Sequence, residues 1–318
     1  MPFGDAMLTR TFEIPVLAPY RLDLTVSVLR RLSTNIVDLL TPERGYVRAF
    51  SGFPRPVIVR ATPIPHRHSL CVTIDGDQRH DAQVLQLLRR TLGTDRDIAH
   101  FHRAARHIAW LAPLARRMRG VKPPRYPSLW EACANAIVFQ QVSLRAASTI
   151  MGRLIVAIGR PVKPAGLSTP LYLFPTAKAF QREPDAHLRA VGLSGNKLGT
   201  LRRVAEALAS GTLDAEELER CTSTDALAIL CGIKGIGPWT ATVILLRGLG
   251  RLDVFPANDT SVTSNIALVA GSAPFDEQAA LDALGAQRGM LYYHLLLARL
   301  ESRGEIGRRS FEKPLSVT

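Results

Sequence analysis

Two features could do chemistry together: the run Gly235-Ile236-Gly237-Pro238-Trp239-Thr240, and Asp259 in the segment Phe255-Pro256-Ala257-Asn258-Asp259-Thr260-Ser261-Val262. Glycines without a Cβ let a turn take positive φ and let another backbone come close. Pro238 suits the first position of a helix, where its missing N–H costs nothing. The unpaired amides and positive end of that helix form an anion site, suited to a nucleic-acid phosphate. Trp239 offers an indole face on which a base could stack, or else serves as core. Asp259 follows a Phe-Pro turn and precedes a helical run, so it can be an N-cap, a role that also keeps its carboxylate ionised. An ionised carboxylate beside a sugar stabilises an oxocarbenium-like transition state. Asp253 and Glu301 are rival acids, and neither is placed so well by a proline turn and helix start.

The elements that hold these residues follow from the pattern around them. Leu227, Leu230, Ile233 and Ile236 recur at helical spacing, so residues 227–263 read as helix, glycine turn, helix and polar loop, with Ser223 or Thr224 as the first cap. An ordinary helical hairpin, whose glycines only relieve crowding, shares this pattern. Ser128 and Glu131 make a capping box before the almost wholly apolar LWEACANAIVFQ, which should be the central helix of its domain. It ends at Gln140-Gln141-Val142-Ser143, with Ser143 capping the next helix; two glutamines here are either a solvated junction or a contact to a partner.

Upstream, Leu22, Leu24, Val26 and Val28 alternate with polar residues as in a strand, LRRLSTNIVDLL takes helical spacing, and strands are predicted at 46–50, 57–61 and 69–74. His66 and His68 would share one strand face, a metal pair lacking a third ligand. From Asp77 onward the pattern is helical, interrupted by a stiff connector at 121–127 and a proline-rich loop at 159–185, and the last residues, about 15 of them, should fray.

A net charge of +13 and pI near 10.2 favour an anionic partner, although the excess of arginine over six lysines can also reflect genome composition. The chain has no apolar run of about 18 residues and no apolar leader, which points to a cytoplasmic protein with no membrane contact. Cys71, Cys133, Cys221 and Cys231 lack metal-site spacing and read as buried thiols in a reducing compartment.

On the hairpin motif, the PSLWEACANAIVFQQVS and GLSGNK segments and the N-terminal module, most of the chain resembles the helix-hairpin-helix DNA glycosylases of base excision repair, in their 3-methyladenine DNA glycosylase II (AlkA-like) branch. That resemblance implies an α+β chain: an antiparallel N-terminal α/β domain (1–80), a two-lobed all-helical glycosylase domain (81–304, lobes about 128–247 and 81–127 plus 248–304) and a tail (305–318). It implies an enzyme that flips an alkylated base (3-methyladenine, 7-methylguanine or hypoxanthine) out of double-stranded DNA and hydrolyses its N-glycosidic bond. Asp259 is then catalytic; Gln141, with Gln140, is the wedge that fills the gap; Ile233, Gly235, Ile236, Gly237 and Thr240 grip phosphate. Trp239 stands where bifunctional glycosylase/lyases carry a Schiff-base lysine, so a monofunctional enzyme is implied. Val28, Val243, Thr260 and Gln287 fall where some relatives place pocket aromatics, which removes cation–π attraction for a cationic base and leaves a non-catalytic damage-sensing DNA-binding protein as the alternative. No cofactor is implied beyond a sodium or potassium ion on the hairpin carbonyls. A monomer bound to nucleoid DNA, with no obligatory protein partner, is expected.

Overall fold

Residues 9–15 form the edge strand of an antiparallel sheet. The strands are β1 (Thr9–Pro15), β2 (Leu39–Leu40), β3 (Tyr46–Phe50), β4 (Val57–Pro63) and β5 (Ser69–Asp75), in spatial order β1-β5-β4-β3-β2. Thr9 faces Asp75, Ile58 faces the same aspartate from the other side, and Tyr46 faces Ala61. The computed structural model describes residues 9–164, 166–257 and 260–307.

Leu22–Arg30, whose first residues alternate like a strand, is a helix, α1. Leu22 and every residue from Leu24 to Leu29 are buried, so the small polar Thr25 and Ser27 are enclosed with the aliphatics. A helix enclosed on most sides loses the one-sided pattern that would reveal its period. The helix expected over 29–40 does not form: α1 stops at Arg30, and a turn leads into β2. His66 and His68 lie exposed in the turn between β4 and β5 rather than on a strand, and no three metal-ligating side chains cluster among the described residues.

The remaining helices are α2 (Asp81–Leu92), α3 (Ala99–Ala105), α4 (Ala112–Arg117), α5 (Leu129–Val138), α6 (Leu144–Ile158), α7 (Ala177–Arg182), α8 (Asp185–Ala190), α9 (Gly195–Ser210), α10 (Ala215–Arg220), α11 (Ser223–Cys231), α12 (Pro238–Ile244), α13 (Thr260–Ala270), α14 (Glu277–Leu284) and α15 (Gly289–Ser302). The fold is α+β. Two stretches of continuous helical spacing are broken: residues 96–118 divide into α3 and α4, and 276–300 into α14 and α15 around a short 3-10 turn. The proline-rich loop contains a small hairpin, β6 (Arg160–Val162) with β7 (Leu171–Leu173). It covers the outer face of the sheet, where Leu171 and Leu173 join Leu39, Val47, Ala49 and Ile58.

Every residue of α5 is buried, so it is the central helix its composition predicts. Ser128 caps it by accepting a hydrogen bond from the Glu131 amide. The second half of the predicted capping box is absent, because the Glu131 carboxylate receives the Arg48 guanidinium at 2.6 Å instead. Arg48 also donates to Asp38 at 2.7 Å, and Tyr46 donates to Asp38 at 2.9 Å. This buried network fastens the sheet to α5. Burial pushes the Glu131 carboxyl up to about 7 against the pull of Arg48.

Around α5 pack α6, α9, α12 and the π-helical turn Leu245–Leu249, and a single apolar cluster continues from there into α3, α13, α14 and α15. Gly248 allows the close approach of the π-turn, since a Cβ there would sit 2.6 Å from that of Ala132. Glu305, assigned to the tail by sequence, is held to the N-terminal part by the Ser33 amide, which donates to its carboxylate at 2.8 Å. Cys133 is buried and its thiol pushed up to about 12 by that burial, whereas Cys71, Cys221 and Cys231 are only partly buried.

Candidate nucleic-acid and base-recognition site

The hairpin joins α11 to α12. Thr222, one residue before Ser223 and two before Thr224, accepts a hydrogen bond from the Asp225 amide and starts α11 in place of either expected cap. Leu230 and Ile236 are buried between the two helices, with Leu227 and Ile233 partly so. The two turn glycines do different work. Gly235 has φ +101°, and a Cβ there would lie 1.9 Å from the Thr200 hydroxyl of α9. Gly237 is extended (φ −94°, ψ 175°) and faces open space, so its lack of a Cβ leaves the outer surface of the turn clear. Pro238 is the first residue of α12, and Trp239 in that first turn is half-buried.

The wedge glutamines also differ. Gln140 turns inward: its Nε2 donates to the Thr240 hydroxyl at 2.6 Å and to the Gly235 carbonyl at 3.2 Å, tying the end of α5 to the hairpin. Gln141 is exposed and sits at φ +51°, an uncommon conformation for a residue with a Cβ. Thr240 is correspondingly buried and its hydroxyl engaged within the protein. Two cations of α9, Lys197 at the end of the GLSGNK segment and Arg203, brace the same region. Lys197 Nζ donates to the Val138 carbonyl at the end of α5 at 2.8 Å, and Arg203 Nε donates to the Lys234 carbonyl of the hairpin at 2.8 Å.

Ile233, Lys234 and Gly235 carbonyls accept from the Ile236 amide, Arg203 and Gln140 respectively. A sodium or potassium ion on this turn would compete with those donors, one of them itself a cation.

Asp259 and Asn258 lie outside the described residues, as does the Thr260 side chain, although α13 begins at Thr260. Of the rival acids, Asp253 is exposed on the approach to that segment, and Glu301 is bound by Arg117 at 3.1 Å. Val28 is fully buried in α1, where its carbonyl accepts from Arg247, and Val243 is buried in α12. The Gln287 amide is committed to the backbone, accepting from Phe101 N at 2.8 Å and donating to Asp97 O at 2.7 Å. It lines a polar cleft of about 480 Å³ with Arg96, Arg125, Arg251 and Asp253.

One charged cluster between these elements has no counterpart among the predicted site residues. Arg31, the C-cap of α1, is 5% exposed and its guanidinium lies 3.6 Å from the centre of the Phe139 ring. Arg247, on the π-turn after α12, is 1% exposed and stacks 4.8 Å from the Tyr126 ring. Neither arginine has a carboxylate partner among the described residues. Arg247 is marked in the sequence only as a charge inside the apolar run Ile244-Leu245-Leu246-Arg247-Gly248-Leu249; Arg31, beside Arg30, carries no such signal.

Residues 134–283, which include the wedge segment, the hairpin and Asp259, match the HhH-GPD superfamily of base excision DNA repair proteins. That stretch, a little under half of the chain, is similar to the proteins of that superfamily. The chain is similar to a probable bifunctional transcriptional activator/DNA repair enzyme AlkA of Mycobacterium tuberculosis, at 34% identity over 64% of this chain and 39% of that protein. It therefore spans well under half the length of that relative. A DNA-3-methyladenine glycosylase of Bacillus subtilis is 26% identical over 59% of this chain and 61% of its own. Among solved structures, a 3-methyladenine DNA-glycosylase from Archaeoglobus fulgidus superposes with a TM-score of 0.76 at 26% identity, covering 92% of this chain and 99% of that one.

Proposed function

We propose that this protein is a monofunctional DNA glycosylase that removes alkylated or deaminated bases from duplex DNA by hydrolysing the N-glycosidic bond. The observation that carries the reading is the hairpin itself. A turn seated against α9 by Gly235 is joined through Gln140 to the segment bearing the exposed Gln141, so that grip and wedge form one unit. The fold-level likeness to a 3-methyladenine DNA-glycosylase over nearly the whole chain supports the same activity.

In this reading the outer face of Gly237 and the first turn of α12 contact a backbone phosphate. Gln141 enters the gap left by the flipped nucleotide and hydrogen-bonds to the orphaned base. Asp259, as carboxylate, stabilises positive charge developing on the sugar and assists the attacking water. Trp239 stacks near the extruded base, and an indole cannot form a Schiff base, so the product is an intact abasic site. Duplex DNA is the partner, a monomer suffices, and the protein works on DNA in the cytoplasm.

The test is release of free base from duplexes carrying 7-methylguanine or hypoxanthine, with borohydride present in a parallel reaction. Free base without a trapped protein–DNA adduct is expected. DNA binding with no base released would instead mark a non-catalytic damage-sensing protein, and a trapped adduct would mark a lyase.

A further inference from the structure

The polar cleft that Gln287 lines has a volume of about 480 Å³ and lies at the far end of the hairpin helix. That helix starts at Pro238, runs through the π-turn and stops at Gly250, and Leu249, Gly250, Arg251 and Leu252 form one wall of the cleft. The length of helix between sets this wall roughly 18 Å from the glycine turn. The volume suits a small molecule rather than a single ion.

Four arginines meet two carboxylates here. Glu219 Oε1 accepts from both Arg90, at 2.6 Å, and Arg125, at 2.7 Å. Asp253, the other acid of the lining, is exposed. The aspartates that flank Arg96 stand outside the lining, and Asp97 accepts from the Ala99 amide at the start of α3. Arg251 is committed to the carbonyls of Leu218, Glu219 and Cys221. Arg125 donates through Nε to the Gly248 carbonyl at 3.1 Å, and Arg96 through Nη2 to the Gly250 carbonyl at 3.0 Å. These two bonds neutralise the negative end of the helix. Arg96 Nε and Nη1 and Arg125 Nη1 are left without an acceptor among the described residues. Gly250 seats Arg125, since at φ +69° a Cβ there would lie 2.7 Å from the arginine Cδ. Burial first, then the like charges of Arg90 and Arg96, lower the Arg125 pKa despite its bond to Glu219. Positive charge at the cleft is therefore only half matched.

We propose that this cleft binds a small phosphate monoester, whose phosphate lies across Arg96 and Arg125. Guanidinium forks match phosphate oxygens, and a dianion offsets the unmatched charge. The remaining space, walled by Leu249, Leu252 and Ala286, takes the organic group to which the phosphate is esterified. The site is independent of the glycosylase reading, because the hairpin, the wedge and Asp259 take no part in it.

Calorimetric titration of the full chain with AMP, ribose 5-phosphate, inorganic phosphate and adenosine at low ionic strength tests this site. Both esters are expected to bind, and adenosine is not. Tighter binding of AMP marks a nucleotide site, and equal binding a sugar-phosphate site. Arg96→Gln should weaken ester binding by about tenfold or more. Asp253→Asn should strengthen it by about twofold, because it removes a charge of the same sign as the phosphate. Inorganic phosphate bound as tightly as either ester means an adventitious ion only and overturns the proposal. Unchanged affinity in Arg96→Gln overturns it too, as does displacement of the ester by a short duplex, which would put the ester on the hairpin face. Melting of each unliganded variant is followed in parallel. Should Arg96→Gln melt well below the parent, Arg96→Lys, which keeps the charge without the fork, and Asp253→Asn decide: ester affinity unchanged in both rejects the site.

Discussion

Gly235 illustrates how a single missing Cβ can carry a site. Its positive φ and the Thr200 hydroxyl 1.9 Å from its Cβ position leave no room for alanine. Gly235→Ala is predicted to destabilise the protein by about 2 kcal/mol or more and to weaken duplex binding, since the turn must leave α9. Adding Thr200→Ala should restore part of the loss, the remainder being backbone strain; melting curves of the single and double variants check both statements. Gln140→Ala removes the two hydrogen bonds that join wedge segment and hairpin. A fall in stability of about 1–2 kcal/mol, with a larger proportional fall in base release, is the expected outcome.

At the scale of elements, the buried network of Arg48, Asp38 and Glu131 is what binds the N-terminal sheet to the central helix. Arg48→Met strands two carboxylates in the interior and should cost about 3–5 kcal/mol. Combining Arg48→Met with Asp38→Asn and Glu131→Gln removes the three charges together and is expected to recover most of that loss in urea melts. The sequence showed α5, its Ser128 cap, the glycine turn and the Pro238 helix start clearly, because each depends on neighbours within a turn of helix. It did not show that the Glu131 carboxylate prefers a distant arginine to its own cap, nor that Leu22–Arg30 is a helix. Those outcomes are decided by burial on several sides at once, where one-dimensional periodicity carries little information. The separate duties of Gln140 and Gln141 were hidden for the same reason: identical residue types part only when the chain turns at Gln141 φ +51°. The arginine cluster, assembled from α1, the connector before α5, the π-turn and α15, has no local sequence signature beyond the single charge of Arg247 inside an apolar run.

For the molecule as a whole, buried ionisable groups make stability depend on pH in opposing ways. His294 and His102 pack against Phe101, and burial lowers them from 6.5 to about 3 and about 4. The unfolded chain takes up protons at these histidines that the folded one refuses, so stability falls as pH drops below 6.5. Glu131, raised from 4.5 to about 7, acts with the opposite sign: its contribution is full below 4.5 and is lost as pH rises toward 7. His294→Leu removes one of the two histidine contributions. The melting-temperature advantage of the parent over this variant is therefore predicted to shrink as pH is lowered from 7 to 5; parallel curves would argue against a neutral buried His294.

The proposed reaction needs the hairpin and Asp259 to act together, and Asp259→Asn tests this most directly. Asparagine keeps the size and capping capacity of the side chain and removes the negative charge. The prediction is that Asp259→Asn binds a lesion-containing duplex about as tightly as the parent but releases its damaged base about a hundredfold more slowly or worse, the scale expected when one electrostatic stabiliser of a transition state is lost. Retention of most of the base-release rate by Asp259→Asn would contradict the assignment of the reaction to this carboxylate.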